Sequence, residues 1–194
     1  DIMQPDYVAR VLTLHEKFPQ ADILQPGVQI IDSQGRAVST LTDSIKRVVM
    51  PRTRQPLLLS GEELAASLLK ADWLYWPSLP FRPGFPIIQD LALVIDIIAA
   101  GGCLLLDPHM CFSYRRHEES ASSTSLFDGR RFAGERTYFA LAARILRRNG
   151  WHRAARAAKR HTISRAHALS LLPTALRRQD STAVRTLTTH ILAR

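Results

Sequence analysis

The stretch from Asp90 to Leu106 constrains this chain most. Leu91 to Ala100 is its longest strongly apolar run, interrupted only by Asp96. A membrane-spanning helix needs roughly 20 such residues, so the run reads as a buried helix from Asp90 to Ala100. Gly101 and Gly102 supply its stop signal, because glycine adopts the left-handed backbone that ends helices at little cost. Cys103 to Leu106 follows as an apolar strand. Helix, glycine pair and strand in immediate succession place this part of the chain in the α/β class.

The neighbouring segments agree. Residues 6–18 carry Val8, Val11, Leu12, Leu14 and Phe18 at helical spacing, with Pro5 where a first turn tolerates it. Asp22 to Ile31 reads as a strand broken by Pro26-Gly27, and Asp32 to Arg36 as a turn. Residues 41–60 read as a short helix and a loop. Ser60 stands three residues before Glu63, a capping-box pattern that opens a helix to about Ala71. A short strand is expected near Leu79 to Arg82, and prolines 80, 83 and 86 make a tight link after it. Asp107-Pro108 predicts a turn into a second extended piece, Met110 to Tyr114. From Arg130 onward the pattern is helical only, with helices expected over 130–148, 151–172 and 181–192, separated at Asn149-Gly150 and at Pro173. Two regions result: an α/β portion over 1–127 and an all-α extension over 128–194.

Charge divides at the same place. The net charge is +9, yet residues 1–127 hold 11 Lys and Arg against 14 Asp and Glu, and residues 128–194 hold 15 against 3. The extension therefore favours an anionic partner. Arg144, Arg147, Arg148, Arg153, Arg156, Lys159, Arg160 and Arg165 alternate with alanine and leucine. Such a basic amphipathic face suits the anionic inner face of a membrane or an acidic protein surface. No helix-turn-helix or zinc-ligand spacing supports nucleic acid, so none is expected. Cys103 and Cys111 lack metal-type clustering and read as core thiols of a reducing, cytoplasmic compartment. His15, His109, His152, His161, His167 and His190 lack ligand spacing and read as surface or tail residues. No signal peptide is visible. The first residue is Asp1 rather than Met, and the chain is expected to begin inside a longer protein.

Three groups of residues could carry chemistry. Tyr114-Arg115-Arg116-His117, with Ser120 and Ser122 following, sets two guanidinium forks beside an imidazole and hydroxyls. Guanidinium forks match phosphate oxygens bidentately, and a solvated basic turn is the plainer alternative. Asp90 at a helix start is either an N-cap or an ionised general base. Trp73, Tyr75 and Trp76 either stack on sugar faces or fill the core.

In order along the chain, four segments resemble family-2 glycosyltransferases of the GT-A fold. Asp1 to Pro5 resembles the end of the family's acid-rich metal motif, with Asp1 as its last acid. Trp73 to Arg82 (WLYWPSLPFR) resembles the acceptor-side segment. Ile87 to Leu91 resembles the segment holding the catalytic Asp, here Asp90. Tyr114 to Ser122 resembles the Y-R-x-H-x-x-S-x-S segment near the donor diphosphate. The resemblance implies the C-terminal part of a GT-A-like domain and an inverting transfer from a nucleotide-sugar donor to a carbohydrate or lipid-linked acceptor. Asp90 would be the base. Arg115, Arg116, His117, Ser120 and Ser122 would hold the diphosphate, and Trp73, Tyr75, Trp76 and Arg82 the acceptor. Asp1 would bind a divalent metal, Mn²⁺ or Mg²⁺. The family's nucleotide-binding first half has no counterpart here, so the chain by itself is expected to be inactive. The alternative is a non-catalytic binding module whose basic tail meets an anionic surface.

Overall fold

The computed structural model describes residues 1–75, 89–116 and 130–193. The chain runs β1 (Ile2–Met3), α1 (Tyr7–Lys17), β2 (Ile23–Ile31), α2 (Leu41–Val49), β3 (Leu57–Ser60), α3 (Gly61–Lys70), α4 (Gln89–Ala99), β4 (Cys103–Arg115), α5 (Arg130–Arg148), α6 (His152–Arg160), α7 (Thr162–Arg177) and α8 (Ser181–Leu192). It is mixed α/β, as the sequence predicts. No helix among the described residues is long and apolar enough to cross a membrane.

Each of the other described strands pairs with β4. One edge of β4 runs parallel to β2 from Ile23↔Leu104 to Ile31↔Arg115. The other edge takes β3 antiparallel over Cys103 to Leu106, then β1 antiparallel at Phe112 and Ser113. The expected turn at Asp107-Pro108 is instead an irregularity inside one long strand. Pairing advances from Leu106 to Phe112 on β4 while β2 advances only from Gln25 to Val28. Proline lacks an N–H for the ladder, and Pro26 and Pro108 both fall in this stretch, where regular pairing is suspended. Gly27 sits against the displaced residues. A Cβ there would lie 2.7 Å from the His109 carbonyl oxygen and 2.8 Å from that of Pro108.

The two faces of β4 meet different partners, because successive strand side chains alternate. Leu104 and Leu106 enter the main core with Leu64, Leu68 and Leu69 of α3 and Leu91, Ile95 and Ile98 of α4. On the Leu105 and Asp107 face lies α1. Its Arg10 grips the fully buried Asp107 with two hydrogen bonds, Nε to Oδ2 at 2.8 Å and Nη2 to Oδ1 at 2.7 Å. Tyr7 packs on Phe112 with ring centroids 5.9 Å apart.

The basic extension shares this core. Ala142, Ala143 and Leu146 of α5 and Ala154, Ala155 and Ala158 of α6 are buried in the main cluster. Glu62 of α3 accepts from the backbone N–H groups of Arg153 and Ala154, capping α6 from outside, and Glu63 pairs with Arg153. The capping-box bond expected at Ser60 is not made, because these carboxylates face α6. A second, smaller cluster joins Phe132 to Ala168 and Ala175 of α7 and Ala183 and Leu187 of α8.

Three expectations need correction. Residues 57–60 form β3, where a loop is expected. The break expected at Pro173 occurs at His161 (φ 27°), and α7 continues through Pro173 to Arg177. Pro173 is exposed, and the buried Ala168 and Ala175 hold the helix against α8 on either side of it. His161 and His190 are buried rather than on the surface. The strand expected near Leu79 to Arg82 lies outside the described residues.

Two glycines make opposite predictions. Gly27→Ala forces backbone apart at the β2–β4 irregularity and should destabilise by about 2–3 kcal/mol. Gly134 lies inside α5 with nothing within 4 Å of its added Cβ. Gly134→Ala should stabilise by about 0.5–1 kcal/mol by lowering the entropy of the unfolded chain. Urea titration of both variants checks the pair, and equal effects would contradict the packing assigned to Gly27.

Candidate functional site

Strands β2 and β4 are parallel, so their carboxyl ends lie together, the usual position of ligand sites in α/β sheets. Asp1, Arg115 and Arg116 meet there. Oδ1 of Asp1 accepts from the backbone N–H of Arg115 at 2.8 Å. The Arg115 guanidinium reaches the turn after β2, donating through Nη1 to the carbonyls of Asp32 at 2.7 Å and Ser33 at 2.8 Å. The Arg116 backbone N–H continues the ladder to Ile31 O at 2.9 Å.

Arg116 turns its side chain inward onto Asp43, a residue that the sequence reading does not single out. Asp43 has no exposed side-chain surface. It receives Arg116 Nε at 3.3 Å, Arg116 Nη2, Thr40 Oγ1 at 2.5 Å and the Tyr75 hydroxyl at 3.2 Å. Thr40 caps α2 in return, accepting from Asp43 N–H at 3.1 Å. Burial pushes the Asp43 carboxyl up, and the hydrogen bonds from Arg116 and Thr40 outweigh it, so its pKa falls below the usual carboxylate value. Burial and the Asp43 charge both push the Tyr75 phenol up, which keeps it protonated as a donor. The Arg116 guanidinium lies 5.1 Å from the Tyr114 ring centroid, and the Tyr75 and Tyr114 centroids are 5.8 Å apart. The spacing Thr40-x-x-Asp43 before an amphipathic helix is the signal that could have revealed Asp43.

Lys46, one turn along α2, connects this cluster to the acids. Its Nζ donates to Leu74 O at 2.7 Å and stands 4.9 Å from the Tyr75 ring centroid. Asp72 lies near Lys46 and Asp90. Its Oδ1 is shielded from solvent and has no hydrogen-bond partner among the described residues. Burial raises its pKa to about 6, against the attraction of Lys46 and reinforced by the charge of Asp90. A carboxyl perturbed by burial and a second acid is a common mark of acid–base sites. Asp90 begins α4, and its Oδ1 accepts from the adjacent Leu91 N–H at 2.8 Å. Among the described residues, no hydrogen bond or ion pair joins Asp90 to Arg115 or Arg116.

The acceptor-side residues separate. Trp73 is fully buried, with Nε1 donating to Ser67 Oγ at 3.1 Å. Its indole is core and offers no face to an acceptor, which corrects the role expected of it. Tyr75 is half-buried at the site. Trp76, Arg82, His117, Ser120 and Ser122 lie outside the described residues. Among the described residues, no group of three His, Cys, Asp or Glu could hold a metal ion. Asp1 offers a single exposed carboxylate, one oxygen of which already accepts from Arg115. It does not form a metal site by itself.

A second polar cluster lies within the extension. Ser164 Oγ donates to Glu135 Oε2, which leaves its oxygen to accept from His190 Nε2 at 2.8 Å. The acid thus holds the serine, whereas in a catalytic triad it would orient the far nitrogen of the histidine. His190 Nδ1 is buried without a partner, and burial lowers the His190 pKa to about 4. This cluster ties α5 to α7 and α8.

The two buried titrations act on stability in opposite senses. The unfolded chain releases the Asp72 proton near pH 4 while the folded chain holds it to about pH 6. Asp72 therefore lowers stability as pH rises through that window. His190 is protonated near pH 6.5 when unfolded and near pH 4 when folded, so its contribution is lost as pH falls. Asp72→Asn should stabilise by about 1–2 kcal/mol at pH 7.5 and by nothing below pH 4. Denaturant midpoints measured from pH 3.5 to 8 check this, and a difference independent of pH would contradict it. Comparison of the chain with protein-family models, with curated proteins and with solved structures returns no match.

Proposed function

We propose that this chain is the acceptor-side portion of an inverting glycosyltransferase that uses a nucleotide-sugar donor. One observation carries the reading. Residues far apart in sequence, Asp1, Arg115, Arg116 and Tyr75, gather about the carboxyl end of the parallel strands, and Lys46, over the Tyr75 ring, lies near Asp72, which in turn neighbours Asp90. The resemblance in four short segments points the same way.

The chemistry follows from the residues. An acceptor hydroxyl gives its proton to Asp90 as its oxygen forms a bond to the anomeric carbon. The bond from that carbon to the diphosphate oxygen breaks, and the leaving nucleoside diphosphate takes the electron pair. A guanidinium has five N–H donors. Arg116 commits Nε and Nη2 to Asp43, and Arg115 commits Nη1 to the β2 turn. The remaining donors of these held forks face developing charge without having to reorganise, which is usually the largest catalytic contribution. A divalent cation would be held mainly by the diphosphate itself, with Asp1 offering one carboxylate oxygen beside it. Asp72, raised to about 6 by burial and by the neighbouring charge of Asp90, places a second titrating carboxyl beside the proposed base.

The test is transfer from nucleotide-sugars with Mn²⁺, using the polypeptide extended upstream of Asp1. Asp90→Asn should lower kcat by about 10³-fold or more, in the range set by loss of a general base. Asp72→Asn should retain activity and displace the acid limb of the pH–rate profile. Full activity in Asp90→Asn would remove the base assignment, and an unmoved profile in Asp72→Asn would remove the coupling of the two acids.

A further inference from the structure

A cavity of about 650 Å³ opens between α5, α6 and the end of the chain, within the usual range for small-ligand sites. Arg136, Phe139, Ala140, Ala143, Arg144 and Arg147 of α5 line it. These positions recur three and four residues apart, so they form one stripe along the helix. The stripe spans about 16 Å from Arg136 to Arg147 at 1.5 Å per residue. Arg148 and Lys159 add two further cations, and no carboxylate lines the cavity among the described residues.

None of these five cations makes an ion pair among the described residues. The nearby Glu135 is held by Arg131 and Ser164 instead. Arg136 Nη1 is shielded from solvent and has no hydrogen-bond partner among the described residues. Like charges gathered around one cavity repel each other, and an anion placed among them relieves that repulsion. The floor has different chemistry. Phe139, Ala143 and Ala158 are buried there, and the His161 ring stacks on Phe139 with centroids 4.9 Å apart and planes 8° apart. The small alanines leave the space that larger side chains would fill.

We propose that this cavity binds a phosphate-bearing amphiphile. Its phosphate oxygens sit on Arg144, Arg147, Arg148 and Lys159, Arg136 donates from deeper in the cavity, and its apolar part lies on the alanine and phenylalanine floor. This site is separate from the one at the carboxyl ends of β2 and β4. The phosphate comes either from the headgroups of an anionic bilayer or from a soluble phosphate compound.

Two probes applied to the full 194-residue chain distinguish those sources. One is flotation with phosphatidylcholine vesicles with and without phosphatidylglycerol, and the other is calorimetric titration with inorganic diphosphate. Flotation that needs phosphatidylglycerol and resists millimolar diphosphate assigns a lipid. Saturable diphosphate binding that also abolishes flotation assigns a soluble phosphate. The double variant Arg144→Glu/Arg147→Glu should weaken whichever probe binds by about tenfold or more, since each removed contact is a charge-assisted one. Arg177→Glu/Arg185→Glu changes two exposed cations outside the cavity by the same total charge. It should weaken binding by less than about threefold, as expected for screened long-range charge. Ala140→Trp fills the exposed edge of the floor without altering any charge, and should also weaken binding. Failure of both probes to bind, equal losses in the two double variants, or unchanged binding by Ala140→Trp would each overturn the proposal.

Discussion

Among the described strands, all ladder pairing depends on β4. β4 pairs with β1, β2 and β3, and none of those three pairs with another. The sheet therefore exists only if β4 stays extended across Asp107, Pro108 and His109, where sequence favours a turn. The Arg10 fork on Asp107 is what opposes that turn. A buried carboxylate is costly unless it is paired and fully hydrogen-bonded, so the irregular residues are stable only where α1 brings Arg10 to them. Gly27 completes the arrangement from β2, because only a residue without Cβ admits the displaced carbonyls of Pro108 and His109.

The same exchange between distant segments makes the basic extension part of the core. α6 is weak as an isolated helix. It has nine residues, no side-chain cap of its own and a strongly cationic surface, and helices that short are marginal in water. Glu62 supplies the missing cap and places negative charge at the positive end of the helix. The alanine face then packs against α3 and α5. Because the apolar face is spent on the core, the cations are directed outward, and their concentration along α5 and α6 follows from how the helices pack.

The legible parts of the fold were those set by local pattern. The helices at Tyr7–Lys17, Gly61–Lys70 and Gln89–Ala99 follow apolar spacing and nearby glycines or acids, and their limits fall within two residues of expectation. What sequence concealed was set by pairing at a distance. Leu57–Ser60 is too short to show alternation and becomes a strand because Cys103–Leu106 offers an edge. Pro173 is a local helix breaker that exposure and the α7–α8 contact override. At the candidate site, Asp1, Arg115 and Arg116 stand out in the sequence by residue type, and the structure brings these three to one end of the parallel strands. Asp43 does not stand out, since its role exists only once Arg116 and Tyr75 reach it from segments dozens of residues away. Trp73 misled for a related reason. A buried indole and an exposed one have the same sequence, and the hydrogen bond to Ser67 that satisfies it inside cannot be read from either residue alone.

Asp43 has no exposed side-chain surface and Asp72 has a shielded Oδ1, and their surroundings treat the two acids oppositely. Asp43 is surrounded by donors that hold its charge, and removing any of them would strand it. That arrangement explains itself as structure. Asp72 has a partnerless oxygen and a neighbouring acid that repels it. Asparagine there would keep the shape and remove the penalty, so stability alone gives no reason for an aspartate. Natural proteins break a local rule of this kind mainly where the strained group has work to do. The neighbouring charge of Asp90 adds to that penalty, so the aspartate at position 72 is held against the stability of the fold.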